Sequence, residues 1–235
     1  MLKSKPRLLA LAIAATLTPS ALQAAVLEEV KVTATKRTES VQDVSIAITA
    51  FTGDQMEQLG WTNAQQVTAM APGVHTIQPN GEANYAIAMR GVASSDFTTN
   101  VESPVALYVD EVYISQMSGA GFMLFDMERV EILRGPQGTL FGRNATGGLI
   151  HYITKKPSSD FGGYITGTVG DNEQYKVEGA VGGGTDNLAF RFSGSYHNND
   201  GYVENRFTGD DLNDADDQAY RIQVLWTPTD EIEFL

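Results

Sequence analysis

The chain has 235 residues, with 16 Lys+Arg against 29 Asp+Glu, a formal charge of −13 and no Cys. Disulfide scaffolds, Cys-ligated zinc and thiol catalysis are excluded, and the acidic balance disfavours nucleic-acid binding, which needs basic groups to displace phosphate counterions. A hydrophobic share of 42% suffices for a packed core, while no apolar run reaches the ~20 residues of a membrane-spanning helix, a length rule that does not apply to barrel strands.

Lys3, Lys5 and Arg7 lead into the apolar stretch 8–17 (LLALAIAATL), which Pro19 and Ser20 end before the small residues Ala21, Ala24 and Ala25. This is the three-part pattern of a secretory signal peptide, with cleavage expected after Ala24. An exported, acidic chain without Cys suits a bacterial envelope.

The remainder divides near Pro157, and residues 25–157 read as α+β. Residues 44–51 (VSIAITAF) predict a strand. Thr52 caps a short helix through Leu59, closed by Gly60 at a left-handed position. Thr62 with Gln65 forms a capping box for a second helix, which Pro72-Gly73 ends. Strands follow at 86–89, 105–109, 112–114, 130–133 and 149–153. Asp110-Glu111 makes a two-residue hairpin turn, although such turns favour Gly over Glu.

Residues 158–235 differ in kind, with 4 Lys+Arg against 15 Asp+Glu and 11 of the chain's aromatics. Strands are expected at about 164–170, 175–182, 188–197 and 219–227, with a fifth beginning at Glu231. Phe190, Phe192, Gly194 and Tyr196 alternate with Arg191, Ser193, Ser195 and His197; Tyr220, Ile222, Val224 and Trp226 alternate with Arg221, Gln223 and Leu225. A soluble sandwich with its apolar face inward shows the same alternation. Tight turns at 184–187 and 228–231 against the long acidic segment 198–217 favour an outer-membrane barrel.

Residues that invite chemistry have blander readings. The glycine-rich run 135–148 lacks a Gly-Lys-Ser/Thr ending and a strand–GxGxxG–helix context, so it reads as tight turns where the backbone passes close to other chain. The Asn144-Ala145-Thr146 sequon is inert in a bacterial export context. His75, His151 and His197 lack metal-helix spacing, and no GxSxG elbow occurs. The acidic run 210–217 lacks the Gly and Glu of a calcium loop and reads as a solvated loop. No nucleophile, base and orienting group assemble, so an enzyme is not expected, and no cofactor or metal is implied.

The segment order resembles the N-terminal part of a TonB-dependent outer-membrane receptor. Leu27-Glu28-Glu29-Val30-Lys31-Val32-Thr33-Ala34 resembles a TonB box, with Lys31 interrupting the usual apolar run. Met89-Arg90-Gly91-Val92 resembles the family's IRGV, and Val109-Asp110-Glu111-Val112 stands where the family has VDGV. The densest match is 124–148 (LFDMERVEILRGPQGTLFGRNATGG). The resemblance implies a signal peptide (1–24), a TonB-box-like segment (25–40), an α+β plug domain (41–157) and the first antiparallel strands of a transmembrane β-barrel (158–235). The barrel would be incomplete, because an open edge cannot sit in lipid and Leu235 is not a terminal aromatic. It also implies a transporter of ferric siderophores or other scarce nutrients, surrounded by outer-membrane lipid and energised by TonB with ExbB/ExbD. Glu28, Glu29, Val30, Lys31, Val32 and Thr33 would contact TonB; an ordinary first plug strand is the other reading of that segment. Arg90, Glu131 and Arg134 would hold the plug against the barrel wall. Plug loops 78–84 and 94–103 are candidates for ligand contact, and a stand-alone periplasmic binding module is the alternative to a truncated receptor.

Overall fold

A computed structural model describes residues 30–34, 36–78, 84–98, 100–209, 211–229 and 231–235. The expected signal, Glu28, Glu29 and residues 79–83 of the first candidate loop lie outside them. In chain order the first part contains β1 (Lys31–Val32), β2 (Glu39–Ser40), β3 (Ile48–Thr52), α1 (Gly53–Gln58), a 3-10 helix (Ala64–Met70), β4 (Val74–Ile77), β5 (Ala86–Met89), β6 (Val105–Val109), β7 (Val112–Tyr113), a 3-10 turn (Met117–Gly119), β8 (Met127–Arg134), α2 (Gly138–Phe141) and β9 (Gly148–Thr154).

The central sheet runs β3-β8-β9-β6-β7, with β6 and β9 parallel and the other pairs antiparallel. All seven residues of β9 are buried, as expected of a strand covered on both faces. On one face Val130, Ile132, Ile150 and Tyr152 pack against Met56, Trp61 and Val67 from the helical segments. On the other, Leu133 and Leu149 pack against Val32, Ala34 and Phe141. The β1–β2 hairpin is a separate two-stranded sheet laid over that second face. The segment is therefore not a strand of the central sheet.

Local chemistry accounts for the helix ends. Thr52 Oγ1 accepts from Gln55 N (3.2 Å) and Gln55 Oε1 accepts from Thr52 N (3.0 Å), a closed capping box. The second box corrects the expected one by a residue: Asn63 and Gln66 form it, not Thr62 and Gln65. Asn63 Oδ1 accepts from Gln65 N at 2.9 Å, so the stronger capping residue takes the position. The segment it starts is 3-10 rather than α. Asp110 (φ 46°) and Glu111 (φ 70°) both adopt the left-handed backbone that a two-residue hairpin turn requires. Asp110 supports the turn by accepting from Thr154 N (2.8 Å) and Oγ1 (2.7 Å). Gly148 shows why the glycine-rich run is glycine: a Cβ there would lie 2.4 Å from the Leu133 carbonyl oxygen and 2.5 Å from Met89 Sδ.

The second part contains β10 (Gly162–Val169), β11 (Tyr175–Gly184), β12 (Leu188–Asn199), β13 (Val203–Glu204), β14 (Asp211–Leu212), β15 (Ala215–Thr229) and β16 (Ile232–Phe234). Strands β10-β11-β12-β15-β16 form one open antiparallel sheet, and the small β13–β14 hairpin occupies part of the segment expected to be loop. Ile165, Val169, Phe190, Ile222, Val224 and Trp226 are exposed, Ile165 by 81% and Ile222 by 76%. Their alternating neighbours Ser193, Ser195 and Gln223 are buried against the plug. A soluble sandwich buries the apolar face. Here that face points outward, which is the arrangement of a membrane barrel wall.

Candidate functional site

Three constellations follow from this packing. The first is the docked N-terminal segment. Val32 and Ala34 are buried on the plug face, while Lys31 is exposed. Thr33 is tied to β8: its N–H donates to Glu131 Oε1 (2.8 Å), as does its hydroxyl (3.2 Å). Arg129 Nε also donates to Glu131 Oε1 (2.8 Å), and Arg129 Nη2 donates to the Thr33 hydroxyl (3.2 Å). Beyond this network, Lys36 pairs with Glu111, and Glu111 N donates to Nε2 of buried His151 (3.4 Å). Burial pushes the His151 pKa below its ordinary value, outweighing Glu111 and Glu131.

The second is the contact between plug and barrel strands. Asp126, fully buried at the start of β8, receives Arg191 Nε from β12 at 2.7 Å and pairs with its Nη2. Asp126 N donates to Glu178 Oε1 on β11 (2.8 Å), to which Tyr164 on β10 also donates (2.7 Å). Arg221 on β15 donates to the Phe125 carbonyl (2.6 Å), and Gln223 donates to Thr154 Oγ1 (2.8 Å). Every one of these four strands thus sends a polar side chain inward to the plug. These contacts were missed at the level of sequence. The signal for them was there, in charges recurring on the inner face of the alternation.

The expected wall contacts have other partners. Glu131 bonds Thr33 and Arg129, as above. Arg134 donates to the carbonyls of Pro72 (3.1 Å), Ile48 (3.3 Å) and Ala47 (3.5 Å), all in the plug. Arg90 is exposed in the turn after β5. Arg143 and Asn144 hold the end of the second candidate loop, with Asn144 Nδ2 donating to Glu102 Oε2 (2.7 Å) and Arg143 Nη2 lying 3.2 Å from Glu102 Oε1.

The third constellation is a pair of clefts at opposite ends. A cleft of about 1030 Å³ opens between plug residues 62–78 and the long-loop end of the strands, lined by His75, Gln78, Asp171, Gln174, His197 and Asp217 among others. None of its described lining residues is Lys or Arg. A cleft of about 940 Å³ lies at the short-turn end, bordered by Lys31, Thr33, Glu111, Arg129, His151 and Glu233. Among the described residues no group of three His, Asp or Glu side chains is placed to hold a metal.

The TonB-dependent Receptor Plug Domain family matches residues 40–149. The chain carries a TonB-dependent receptor plug domain. The pesticin receptor of Yersinia enterocolitica is 33% identical over 177 residues, covering 72% of this chain and 26% of that protein. The vitamin B12 transporter BtuB of Vibrio vulnificus is 30% identical over 200 residues, covering 80% and 29%. The crystal structure of the ferric yersiniabactin uptake receptor FyuA from Yersinia pestis superposes with a TM-score of 0.71 at 29% identity, covering 79% of this chain and 29% of that one. The chain spans roughly a quarter of the length of the curated relatives it matches. The superposition covers 79% of this chain and so reaches beyond the plug into the antiparallel strands that follow it.

Proposed function

We propose that this chain is the N-terminal part of a TonB-dependent outer-membrane transporter. In this reading residues 1–24 export it, 25–40 present the segment including Glu28–Thr33 to TonB, 41–157 form the plug, and 158–235 begin a barrel surrounded by lipid. TonB, driven by ExbB/ExbD, supplies the energy for uptake of a ferric siderophore-like or other scarce ligand. Arg90, Glu131 and Arg134 would meet wall residues beyond those described, in addition to their plug contacts.

The observation that carries this reading is polarity. The box-like segment borders the short-turn end of the strands, and the large polar cleft opens at the long-loop end. In outer-membrane barrels the short turns face the periplasm, where TonB reaches, and the long loops face outside, where ligand arrives. The outward apolar face also counts against a stand-alone periplasmic module, since a soluble protein rarely exposes so continuous a patch.

Relatives named for pesticin, vitamin B12 and ferric yersiniabactin differ in ligand, so the ligand's character is argued from this chain's own cleft. Asp171 and Asp217 without a lining Lys or Arg favour a neutral or cationic chelate, because a polyanion would meet like charge. The test is uptake of radio-iron chelates of differing charge by cells expressing the gene's full product, with and without TonB. TonB-dependent uptake of a neutral or cationic chelate is expected. Preference for an anionic chelate overturns the charge argument, and absence of TonB-dependent uptake of every chelate and of cobalamin overturns the transport reading.

A further inference from the structure

In an antiparallel ladder alternate residues turn their N–H and C=O towards the partner strand. Val41 N donates to Val30 O at 3.0 Å, which puts Val30 and Val32 in the set that faces β2. Lys31 and the Thr33 N–H therefore turn to the opposite edge of β1, while the Thr33 carbonyl accepts from Lys36 N at 2.8 Å in the following turn. That edge is where an incoming strand would add. Its Thr33 N–H is already taken by Glu131 Oε1 at 2.8 Å.

The acceptor is unusual. Glu131 lies in the middle of β8, its side chain is fully buried, and it comes from 98 residues away in sequence. Its hydrogen bonds with Thr33 and Arg129 all converge on Oε1, and buried Oε2 has no hydrogen-bond partner among the described residues. A buried carboxylate satisfied on one oxygen only is held less firmly than its short contacts suggest. Such a contact orders the segment without locking it. Val32 and Ala34 have no such directional hold, since their packing on the plug face is non-directional.

We infer that Glu131 is a latch: it keeps the box-like segment docked on the plug by holding the Thr33 N–H and hydroxyl, and it competes for that N–H with the energising partner's strand. The competition rests on reading residues 28–33 as the TonB-contacting segment; the latch itself rests on the geometry. Arg129 acts through Glu131, orienting its carboxylate and donating to the Thr33 hydroxyl, and is a positioning residue.

These 235 residues contain no Cys, so a nitroxide label in them is unique once any Cys in the remainder of the gene product is replaced by Ser. Lys31→Cys reports the segment and Glu57→Cys, on the exposed side of α1, reports the plug. Both are read in the full chain as its gene encodes it, in outer-membrane vesicles without ligand. Thr33→Pro, which removes both the N–H and the hydroxyl that Glu131 holds, and Glu131→Gln, which removes the charge of the acceptor, are expected to raise the ratio of mobile to docked label at position 31 by roughly tenfold, the scale of a lost charge-assisted hydrogen bond, while the label at 57 is unchanged; Thr33→Val, which keeps the N–H, should raise it less. Lys36→Ala, which breaks the more exposed pair with Glu111 and the ammonium's contact with the Phe141 ring, should change it less. Unchanged mobility at 31 in Thr33→Pro overturns the latch. If Glu131→Gln also loosens the label at 57, Thr33→Pro decides, because it leaves the buried carboxylate in place. Capture of the purified TonB C-terminal domain separates the two readings. If wild type captures it and the variants neither loosen nor capture more, the latch fails and the TonB reading stands. If the segment loosens but nothing captures TonB, the latch stands and the TonB reading fails.

Discussion

His151 is the residue at which packing changes chemistry most visibly. It sits on β9 between Tyr108 of β6 and Glu131 of β8, and its Nε2 must be unprotonated to accept from Glu111 N. Burial lowers its pKa; Glu111 and Glu131 raise it, and Lys36 and Arg129 lower it. The unfolded chain takes a proton at the ordinary value of 6.5, which the folded plug refuses until lower pH. Stability is therefore constant above that value and falls as pH drops through it, levelling off below the folded pKa. A lower thermal midpoint is expected at about pH 5.5 than at about pH 7.5, and His151→Gln should remove part of that difference. Scanning calorimetry of both proteins at the two pH values checks it. Nothing in the one-dimensional pattern announces this role. Residues 149–153 read as a buried strand, but the charged neighbours that act on the histidine come from three other segments.

At the scale of elements, β8 joins the two parts of the molecule. Its middle carries Glu131 and its end Arg134 within the plug, and Asp126, the residue just before it, meets the antiparallel strands of the second part. Asp126 has φ 51°, a left-handed backbone that an Asp tolerates better than most side chains. The pair with Arg191 is nearly closed to solvent, the two side chains being 0% and 14% exposed. Removing one partner leaves the other buried and uncompensated, a loss of about 3 kcal/mol. Asp126→Asn should accordingly lower the urea midpoint at which the plug becomes open to protease in the assembled protein. Lys156→Ala breaks only the half-exposed pair with Glu233 and should stay within about 1 kcal/mol of wild type. Most elements were legible: β5 matches its expected span, and the four long strands differ from expectation mainly at their ends. The second capping box was misplaced by one residue because Thr62 and Asn63 are both cap formers. Only the 3-10 geometry of the segment selects Asn63, with Gln66 reaching back to its N–H at 3.0 Å. The β4 strand escaped notice because VHTI places polar His75 and Thr76 between its two apolar ends, whereas the equally short β5 is an unbroken apolar run.

For the whole molecule, the governing fact is that the strands turn their apolar side chains away from the plug. Ile222 is 76% exposed in the middle of β15, between inward Arg221 and Gln223. Arg at a lipid-facing position near the bilayer midplane costs about 2–4 kcal/mol. On the proposed barrel reading, Ile222→Arg should therefore reduce the heat-modifiable, membrane-inserted fraction of the protein. Ile222→Leu keeps an apolar surface and should not.

By itself the sequence determined where the chain becomes strand, which residues share a face, and that residues 124–148 belong to a plug-like unit. Period-two alternation is a local property, written into each strand by the pleat of its own backbone. Alternation is silent about direction, however, because an apolar face looks the same whether it meets a core or a lipid. Only the tertiary structure decided which face meets the plug, by pairing Arg191 with Asp126, Glu178 with the Asp126 N–H and Gln223 with Thr154, which turns the polar face inward. The docking of Thr33 on Glu131 was decided in the same way. Each such contact joins residues 50 to 100 positions apart in sequence, a separation across which no local periodicity carries information.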